Sequence, residues 1–203
     1  MKDKFQLVGT KIPEFSLPNS RGETKNISDF LGKSVVVILL RGIIWPHCKA
    51  HIVRLAGSYE KFQELNAELY PITVDKLENA QKLESKYAKN KYPIYYDETK
   101  KVAKLLHQEW KILKLGRMPG MLILDRDGVI QWSYYSSSMS DIPKNEVVLE
   151  VLEKLPHWFG RKKIEKWMTF SSGDFAKSPP NHLLFPTYLF NNVFIKDEMK
   201  TIY

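Results

Sequence analysis

The residue of this sequence with the most reactive side chain is Cys48, the only cysteine among 203 residues. A thiolate can attack a peroxide or a disulfide, so a chain with one thiol can still carry out redox chemistry. A single cysteine excludes a disulfide within the chain, and it excludes zinc or iron–sulfur sites built only from the chain's own cysteines. Any reaction of Cys48 therefore proceeds without a second thiol from the same chain.

The position of Cys48 predicts an environment that favours its thiolate. Pro46 opens a helical pattern, and proline is favoured in the first turn of a helix, so Cys48 is expected in that turn. Unpaired N–H groups and partial positive charge at a helix start stabilise an anion. Arg41, at the end of the preceding strand, and Arg117 are candidate cations. We therefore expect a partly accessible thiol of lowered pKa. The alternative is a small buried residue without reactivity, which is a common role of a lone cysteine.

Two histidines near Cys48 raise the question of a metal site. His47 and His51 are four residues apart, and Cys48 lies three residues before His51, so the three side chains could converge on one helix face. The nearby sequence offers no fourth ligand. We predict no metal and no other cofactor, with both histidines at the surface or hydrogen-bonded. The alternative for His51 is a general base for the thiol.

Alternating apolar patterns place Cys48 at the junction of a strand and a helix. Residues 34–40 are apolar on both faces, which is typical of a central strand, and helical spacing runs from Pro46 to about Asn66. The pattern also predicts strands at 69–75, 92–97, 121–125 and 129–135, and helices at 78–88, 98–108 and 143–155. This alternation is typical of an α/β sandwich with a largely parallel sheet, in which residues 121–135 form an antiparallel hairpin.

The sequence changes character at Pro156. Residues 1–156 carry the alternating pattern and are predicted to form one domain, whereas residues 157–203 contain ten aromatic residues and three prolines. A segment so rich in aromatic residues is not typical of a disordered tail. We expect residues 157–203 to be a C-terminal extension that packs on the domain or across a homodimer interface. The alternative is a lid or docking surface over the active site.

The composition restricts the partners and the location. The net charge of +8 is spread along the chain with acidic residues between the basic ones, which indicates a solvated surface rather than a nucleic-acid site. The longest strongly apolar run, Val35 to Leu40, is far shorter than the roughly 20 residues that a membrane-spanning helix needs. The charged residues at Met1 to Lys4 lead into no apolar run, so no secretory signal is indicated. We expect a cytoplasmic protein that binds neither nucleic acid nor membrane.

Three stretches of the sequence together resemble a known family. They are VGTKIPEFSLPNSRGE, ISDFLGKSVVVILLRG and LILDRDGVI, and the first contains Gly9, Pro13, Phe15, Leu17 and Gly22. Over roughly residues 8–155 the chain resembles the peroxiredoxin-like proteins of the alkyl hydroperoxide reductase and thiol-specific antioxidant family. The resemblance implies a thioredoxin-like three-layer sandwich with an N-terminal β-hairpin, followed here by the aromatic-rich C-terminal extension.

The segment around Cys48 differs from that family in one position. Thioredoxin-like reductases carry Cys-x-x-Cys here and peroxiredoxins carry Thr-x-x-Cys, whereas this chain has Trp45-Pro46-His47-Cys48. A subgroup with Arg-Gly ahead of Cys-Pro-x-Cys is the most similar, with Arg41 at the position of its arginine. The resemblance places Cys48 at the position of the thiol that attacks peroxide, and Trp45 replaces either the first cysteine or the threonine.

The loop before the strand at 121–125 also departs from the peroxiredoxin pattern. Peroxiredoxins place a thiolate-binding arginine there and thioredoxins place a cis-proline, whereas this chain has Arg117-Met118-Pro119-Gly120. The thioredoxin pattern implies a cis bond between Met118 and Pro119. The predicted catalytic residues are Cys48, Arg41 and Arg117, and the predicted substrate-binding residues are Trp45, Pro46, His47 and Pro119.

The resemblance implies a one-cysteine peroxidase that reduces peroxides through Cys48. Because the chain has no second thiol, an external reductant is required, either a low-molecular-weight thiol or a thioredoxin-like protein. A homodimer is also compatible with the sequence. Two alternatives stay open: a thioredoxin-like binding or scaffold protein that has lost catalysis, and a thiol-transfer protein that forms mixed disulfides.

Overall fold

The computed structural model describes residues 3–114 and 116–155. These residues lie within the predicted domain 1–156. The predicted C-terminal extension, residues 157–203, lies outside the described residues, so its packing stays a prediction. The described strands are β1 Ser16–Pro18, β2 Thr24–Asn26, β3 Ser34–Leu39, β4 Ala67–Thr73, β5 Tyr95–Tyr96, β6 Trp110–Lys111, β7 Gly116–Arg117, β8 Gly120–Leu124 and β9 Ile130–Tyr135.

A five-stranded sheet in the order β5-β4-β3-β8-β9 forms the centre of the fold. Every residue of β3 is buried, as the apolar pattern of residues 34–40 predicts. β3 pairs in parallel with β4, and β4 pairs in parallel with β5, whereas β8 is antiparallel to both β3 and β9. The predicted hairpin at 121–135 is therefore confirmed. The expectation of a largely parallel sheet is wrong, because that hairpin inserts β8 beside β3 and makes the sheet mixed.

Helices surround this sheet and extend the buried core to both of its faces. The described α-helices are α1 Pro46–Gly57, α2 Tyr59–Glu64, α3 Leu77–Lys82, α4 Lys101–Leu105 and α5 Asn145–Lys154. Alternate side chains of a strand point to opposite faces. Val36 and Ile38 accordingly pack with residues of α1 and α5, whereas Val35 and Val37 pack with residues of α4 and the N-terminal segment. Two core clusters on opposite faces of the sheet are the expected result for a three-layer sandwich.

Several helix boundaries differ from those that the sequence pattern predicts. The helix predicted from Pro46 to Asn66 is interrupted at Ser58, which ends α1 after Gly57 and precedes α2. The helix predicted at 78–88 begins as α3 and continues as a π-helical turn over Leu83–Ala88. Apolar spacing continues through both positions, so periodicity alone does not reveal these local changes in backbone geometry.

The N-terminal β-hairpin predicted from the family resemblance is present. β1 pairs antiparallel with β2, and a single 3₁₀ turn, Ile27–Phe30, leads into β3. A second small hairpin, in which β6 pairs with β7, occupies part of a region that the sequence pattern left as a loop. Each of its strands has only two residues, which is too short for an alternating pattern to be recognised.

No helix within residues 3–114 or 116–155 has both the length and the apolar character needed to cross a bilayer.

The buried carboxylate of Asp97 is expected to stabilise the domain by holding the start of α4. Its oxygens accept the N–H groups of Lys101 at 3.2 Å and Ala103 at 2.8 Å. Asp97→Ala should lower the free energy of unfolding by about 2 kcal/mol, because the buried N–H group of Ala103 and the partly buried N–H group of Lys101 lose their acceptor. Urea unfolding measures this change, with the neighbouring exposed residue in Glu98→Ala as the control. Equal effects of the two substitutions would contradict the assignment.

Candidate active site

Cys48 lies in the first turn of α1, directly beyond the buried strand β3. Trp45 is the extended residue before the helix and Pro46 is its first residue, as the sequence predicts. A loop from Leu40 to Ile44 joins the end of β3 to this helix start. The junction between strand and helix therefore positions the thiol where the sequence analysis expects it.

The sulfur of Cys48 receives hydrogen bonds from the backbone of the preceding loop. The N–H group of Arg41 donates to the Sγ atom at 3.4 Å. The N–H groups of Arg41 and Gly42 both act to lower the pKa of the Cys48 thiol. Hydrogen bonds to the charged form favour that form, so this part of the loop is a cradle for a thiolate.

Burial acts on Cys48 in the opposite direction and is the largest effect. The residue is only 1% exposed and belongs to the core cluster between the sheet and α1. Burial raises the pKa of the thiol above its usual value, and the backbone donors and the charge of Arg41 offset this only in part. The expectation of a partly accessible thiol with a lowered pKa is therefore wrong for this conformation, because desolvation outweighs the stabilising groups.

The opening of α1 stabilises the thiolate less directly than the sequence analysis expects. The N–H group of Cys48 donates to the carbonyl oxygen of Trp45 at 3.1 Å, and Lys49 donates to the same oxygen at 3.3 Å. These two donors are therefore engaged within the opening turn. The hydrogen bond to the sulfur comes instead from the loop after β3, through Arg41.

The side chain of Arg41 is buried beside Trp45. Its guanidinium carbon lies 3.7 Å from the centre of the Trp45 ring, and its Nη2 atom donates to the carbonyl oxygen of Lys114 at 2.8 Å. The positive charge acts to lower the pKa of Cys48. The structure thus brings together three of the residues that the sequence singles out: Cys48, Arg41 and Trp45.

Arg117 occupies a different environment from Arg41. Its Nη1 atom donates to the carbonyl oxygen of Gln108 at 3.2 Å. Among the described residues, the charged groups that act on the thiol of Cys48 are Arg41 and Asp75. The structure therefore shows Arg117 bound to the backbone of Gln108. That Arg117 stabilises the thiolate of Cys48 stays a prediction.

The peptide bond between Met118 and Pro119 is trans, so the expected cis bond is wrong. Trans is the lower-energy form even before proline, by about 0.5–1 kcal/mol, and the thioredoxin-like pattern of this loop does not override that preference. Pro119 is buried, and its carbonyl oxygen accepts the N–H group of Ser136 at 3.0 Å. Pro119 therefore links β8 to the residue that follows β9.

The two histidines near Cys48 lie in different environments. His47 is exposed on the first turn of α1, as is Pro46, whereas His51 is 2% exposed and its Nε2 atom has no hydrogen-bond partner. Burial, with a smaller effect from the charge of Arg54, lowers the pKa of His51 to about 3. The expectation that both histidines are exposed or hydrogen-bonded is confirmed for His47 but not for the Nε2 atom of His51.

The described residues contain no group of three or more histidine, cysteine, aspartate or glutamate side chains that could hold a metal ion.

Two side chains that the sequence analysis did not single out support this site. Gln108 is buried, and its Nε2 atom donates to the carbonyl oxygens of Leu40 at 3.0 Å and Met118 at 3.1 Å. Asp75 accepts the N–H group of Ile43 at 2.7 Å. Asp75 ends the segment predicted as a strand at 69–75, and a carboxylate at a strand end is a sequence feature that could have indicated it. Gln108 carries no comparable sequence signal.

Comparisons with known proteins agree with this architecture. A model of the AhpC/TSA family matches residues 8–133. The chain is 33% identical over 130 residues to the chloroplastic peroxiredoxin Q of Sedum lineare, covering 62% of this chain and 67% of that protein.

Two solved structures share the fold. Peroxidoxin BcpB of Mycobacterium tuberculosis matches with a TM-score of 0.65 at 19% identity, over 74% of this chain and 98% of that one. A yeast mitochondrial 1-Cys peroxiredoxin matches with a TM-score of 0.63 at 18% identity, over 72% of this chain and 74% of that one. The predicted thioredoxin-like sandwich is confirmed by these likenesses.

The buried His51 is expected to make the fold less stable in acid. Its pKa is about 3 in the folded protein and 6.5 in an ordinary environment, so between these values the unfolded chain binds a proton that the folded chain does not. The free energy of unfolding should fall by about 3 kcal/mol from this residue as the pH drops from 7 to 4. Urea unfolding across that range measures the loss. His51→Leu should show a correspondingly smaller loss, and equal losses in both proteins would contradict the prediction.

Proposed function

The chain belongs to the AhpC/TSA family and has the fold of its peroxiredoxins, and we propose on this basis that it is a one-cysteine peroxiredoxin that reduces peroxides through Cys48. The observation that carries the assignment is the cradle formed by the loop between β3 and α1. There the sulfur accepts the N–H group of Arg41, and the charge of the same residue favours the thiolate. These contacts are what a sulfur nucleophile requires.

The proposed reaction begins when the Cys48 thiolate attacks one oxygen of a peroxide. The S–O bond forms as the O–O bond breaks, and the leaving oxygen takes up a proton to become water or an alcohol. Cys48 is thereby oxidised by two electrons to a sulfenic acid. The positive charge of Arg41 can stabilise the negative charge that passes from the sulfur to the leaving oxygen.

An external thiol must complete the cycle, since the chain has no other cysteine. A first thiol attacks the sulfenic acid, which releases water and leaves a mixed disulfide on Cys48. A second thiolate attacks that disulfide and restores the Cys48 thiol. The yeast 1-Cys peroxiredoxin is described as resolved via glutathione/thioredoxin systems, which supports a reductant of one of these two kinds. The predicted cytoplasmic location is consistent with such a supply and stays part of this proposal, as does the homodimer.

The conformation of the structure corresponds to a closed state in this proposal. Cys48 is enclosed, and Trp45 packs partly buried against the same core cluster. Peroxide therefore reaches the sulfur only after the first turn of α1 or the Trp45 side chain moves. The predicted substrate-binding residues Trp45, Pro46 and His47 belong to this opening segment, whereas Pro119 lies in the loop before β8.

Loss of the thiol should abolish peroxide reduction. In an assay with added dithiothreitol, the wild-type protein should consume hydrogen peroxide or an alkyl hydroperoxide, and Cys48→Ser should reduce the rate at least about 100-fold because the nucleophile is absent. Trapping of the sulfenic acid by dimedone, read by mass spectrometry, identifies the oxidised residue. Val53→Ala, a change at an exposed residue of the same helix, should leave the rate unchanged and checks that an altered α1 alone is not responsible.

The same experiment separates the proposal from its alternatives. A wild-type protein that consumes no peroxide and forms no sulfenic acid would contradict the proposal and agree with the binding or scaffold protein, for which a buried thiol is expected. A mixed disulfide with glutathione, formed from glutathione disulfide without peroxide turnover, would identify a thiol-transfer protein.

The charge of Arg41, rather than that of Arg117, is expected to support the thiolate. Arg41→Met removes the charge but leaves the backbone N–H group in place, so the pH midpoint for ionisation of Cys48, read from the ultraviolet absorbance of its thiolate, should rise. Arg117→Met should shift the midpoint less, because the charge that acts to lower the pKa of Cys48 is that of Arg41. Equal shifts in the two variants would contradict the different roles assigned to the two arginines.

A further inference from the structure

The carboxylate of Asp75 lies against the loop that carries the hydrogen-bond donors for Cys48. β3 and β4 are parallel neighbours, so their carboxyl ends meet at the same edge of the sheet. Asp75 follows β4 by two residues at this edge. A residue that is 27 positions away from Cys48 in sequence is thereby brought to the same site.

Asp75 is tied to the loop by specific contacts. Its Oδ2 atom accepts the N–H group of Ile43 at 2.7 Å and the hydroxyl of Thr73 at 2.8 Å. The carboxylate also packs against Gly42, where a Cβ atom would lie 3.1 Å from Oδ2 and 3.3 Å from Oδ1. Gly42 has a φ of +133°, which side-chain-bearing residues rarely adopt. Gly42 therefore permits both the loop conformation and the close approach of the carboxylate.

The segment that Asp75 holds is the one that contacts the sulfur. Arg41 donates its N–H group to Cys48, Gly42 contributes a second backbone donor, and Ile43 is the next residue. Fixing the N–H group of Ile43 restricts the orientation of the two peptide groups before it, because each residue has only two freely rotating backbone angles. The contacts of Asp75 are therefore suited to aiming the donors at the sulfur.

The negative charge of Asp75 acts against ionisation of the same thiol. It raises the pKa of Cys48, whereas the positive charge of Arg41 lowers it. His51, on the same helix as Cys48, is neutral near pH 7 because its pKa is about 3. Arg41 and Asp75 are thus the charged groups of opposite sign that act on the thiol, one from the end of β3 and one from beyond β4.

We propose that Asp75 is a positioning residue for Cys48, which aims the backbone donors of the loop at the sulfur and whose charge adds to the effect of burial in disfavouring the thiolate in the closed state. The effect of Asp75 on peroxide reduction rests on the function proposed above. The two effects have opposite consequences for the thiolate. They can be separated because an asparagine retains the hydrogen-bond acceptor without the charge.

Two substitutions at this position test the proposal through ionisation of the thiol. Asp75→Asn leaves an amide oxygen for the Ile43 and Thr73 donors, whereas Asp75→Ala removes both the charge and the acceptor. Cys48 is the only cysteine, so the ultraviolet absorbance of its thiolate as a function of pH, corrected with the Cys48→Ser protein, reports its ionisation directly. This measurement does not require a reagent to enter the closed site.

The pH midpoint of Asp75→Asn should lie below that of the wild type, and the thiolate population at pH 7 should rise about threefold. The midpoint of Asp75→Ala should lie above that of Asp75→Asn, because the donors are no longer aimed at the sulfur. A midpoint in Asp75→Asn that equals or exceeds the wild-type value would overturn the role of the charge. Equal midpoints in the two variants would overturn the positioning role.

A matched control for the asparagine substitution is available in the β8–β9 turn. Asp125 accepts the N–H groups of Asp127 and Val129, each at 2.9 Å, and its charge is not among those that act on Cys48. Asp125→Asn should leave the midpoint of Cys48 unchanged, and a shift as large as that of Asp75→Asn would contradict the proposal. If the midpoints behave as expected but no protein consumes peroxide, the proposed peroxidase function fails while the role of Asp75 stands.

Discussion

The enclosure of a single thiol at the end of the central strand is the constraint on which this site depends. A thiolate in a dry environment is costly unless donors and a positive charge compensate for the lost water. Cys48 is packed among apolar side chains, and the compensation comes from the backbone of Arg41 and Gly42 and from the charge of Arg41. The protein therefore holds a protonated thiol in this conformation, next to the groups that would support its ionised form.

Arg41 can supply both a backbone donor and a charge because of its place at the end of β3. Side chains of the strand alternate between the two core clusters, so Leu40 packs on the face of α1. The side chain of Arg41 does not pack on this face. Its guanidinium donates to the carbonyl oxygen of Lys114, which lies between β6 and β7. Its N–H group meanwhile contacts the sulfur. One residue thus acts on the thiol through two different groups.

The sequence was sufficient to predict the elements that place Cys48, but not the environment of its sulfur. The apolar run of β3, the proline that begins α1 and the β8–β9 hairpin are local patterns, and the structure confirms them. Burial of the thiol results from packing between elements that are distant in sequence. Gln108 reaches the site through loop geometry, which the spacing of residues does not encode. Asp75 ends a predicted strand, but the spacing of residues does not show that this strand pairs with β3. The trans bond before Pro119 likewise could not be inferred from the residue type.

Trp45 connects the chemistry of the site to its closed geometry. At the position where related reductases carry a first cysteine, this chain has an indole, so an exchange between two thiols of one chain is excluded. The same indole stacks on the guanidinium of Arg41 at 3.7 Å and thereby helps to hold a buried cation near the remaining thiol. A movement of Trp45 that opened the site to peroxide would also expose Arg41 to water and weaken its effect on the sulfur. Because burial is the larger effect on the pKa of Cys48, the water admitted by such an opening would favour the thiolate even as the effect of Arg41 weakens.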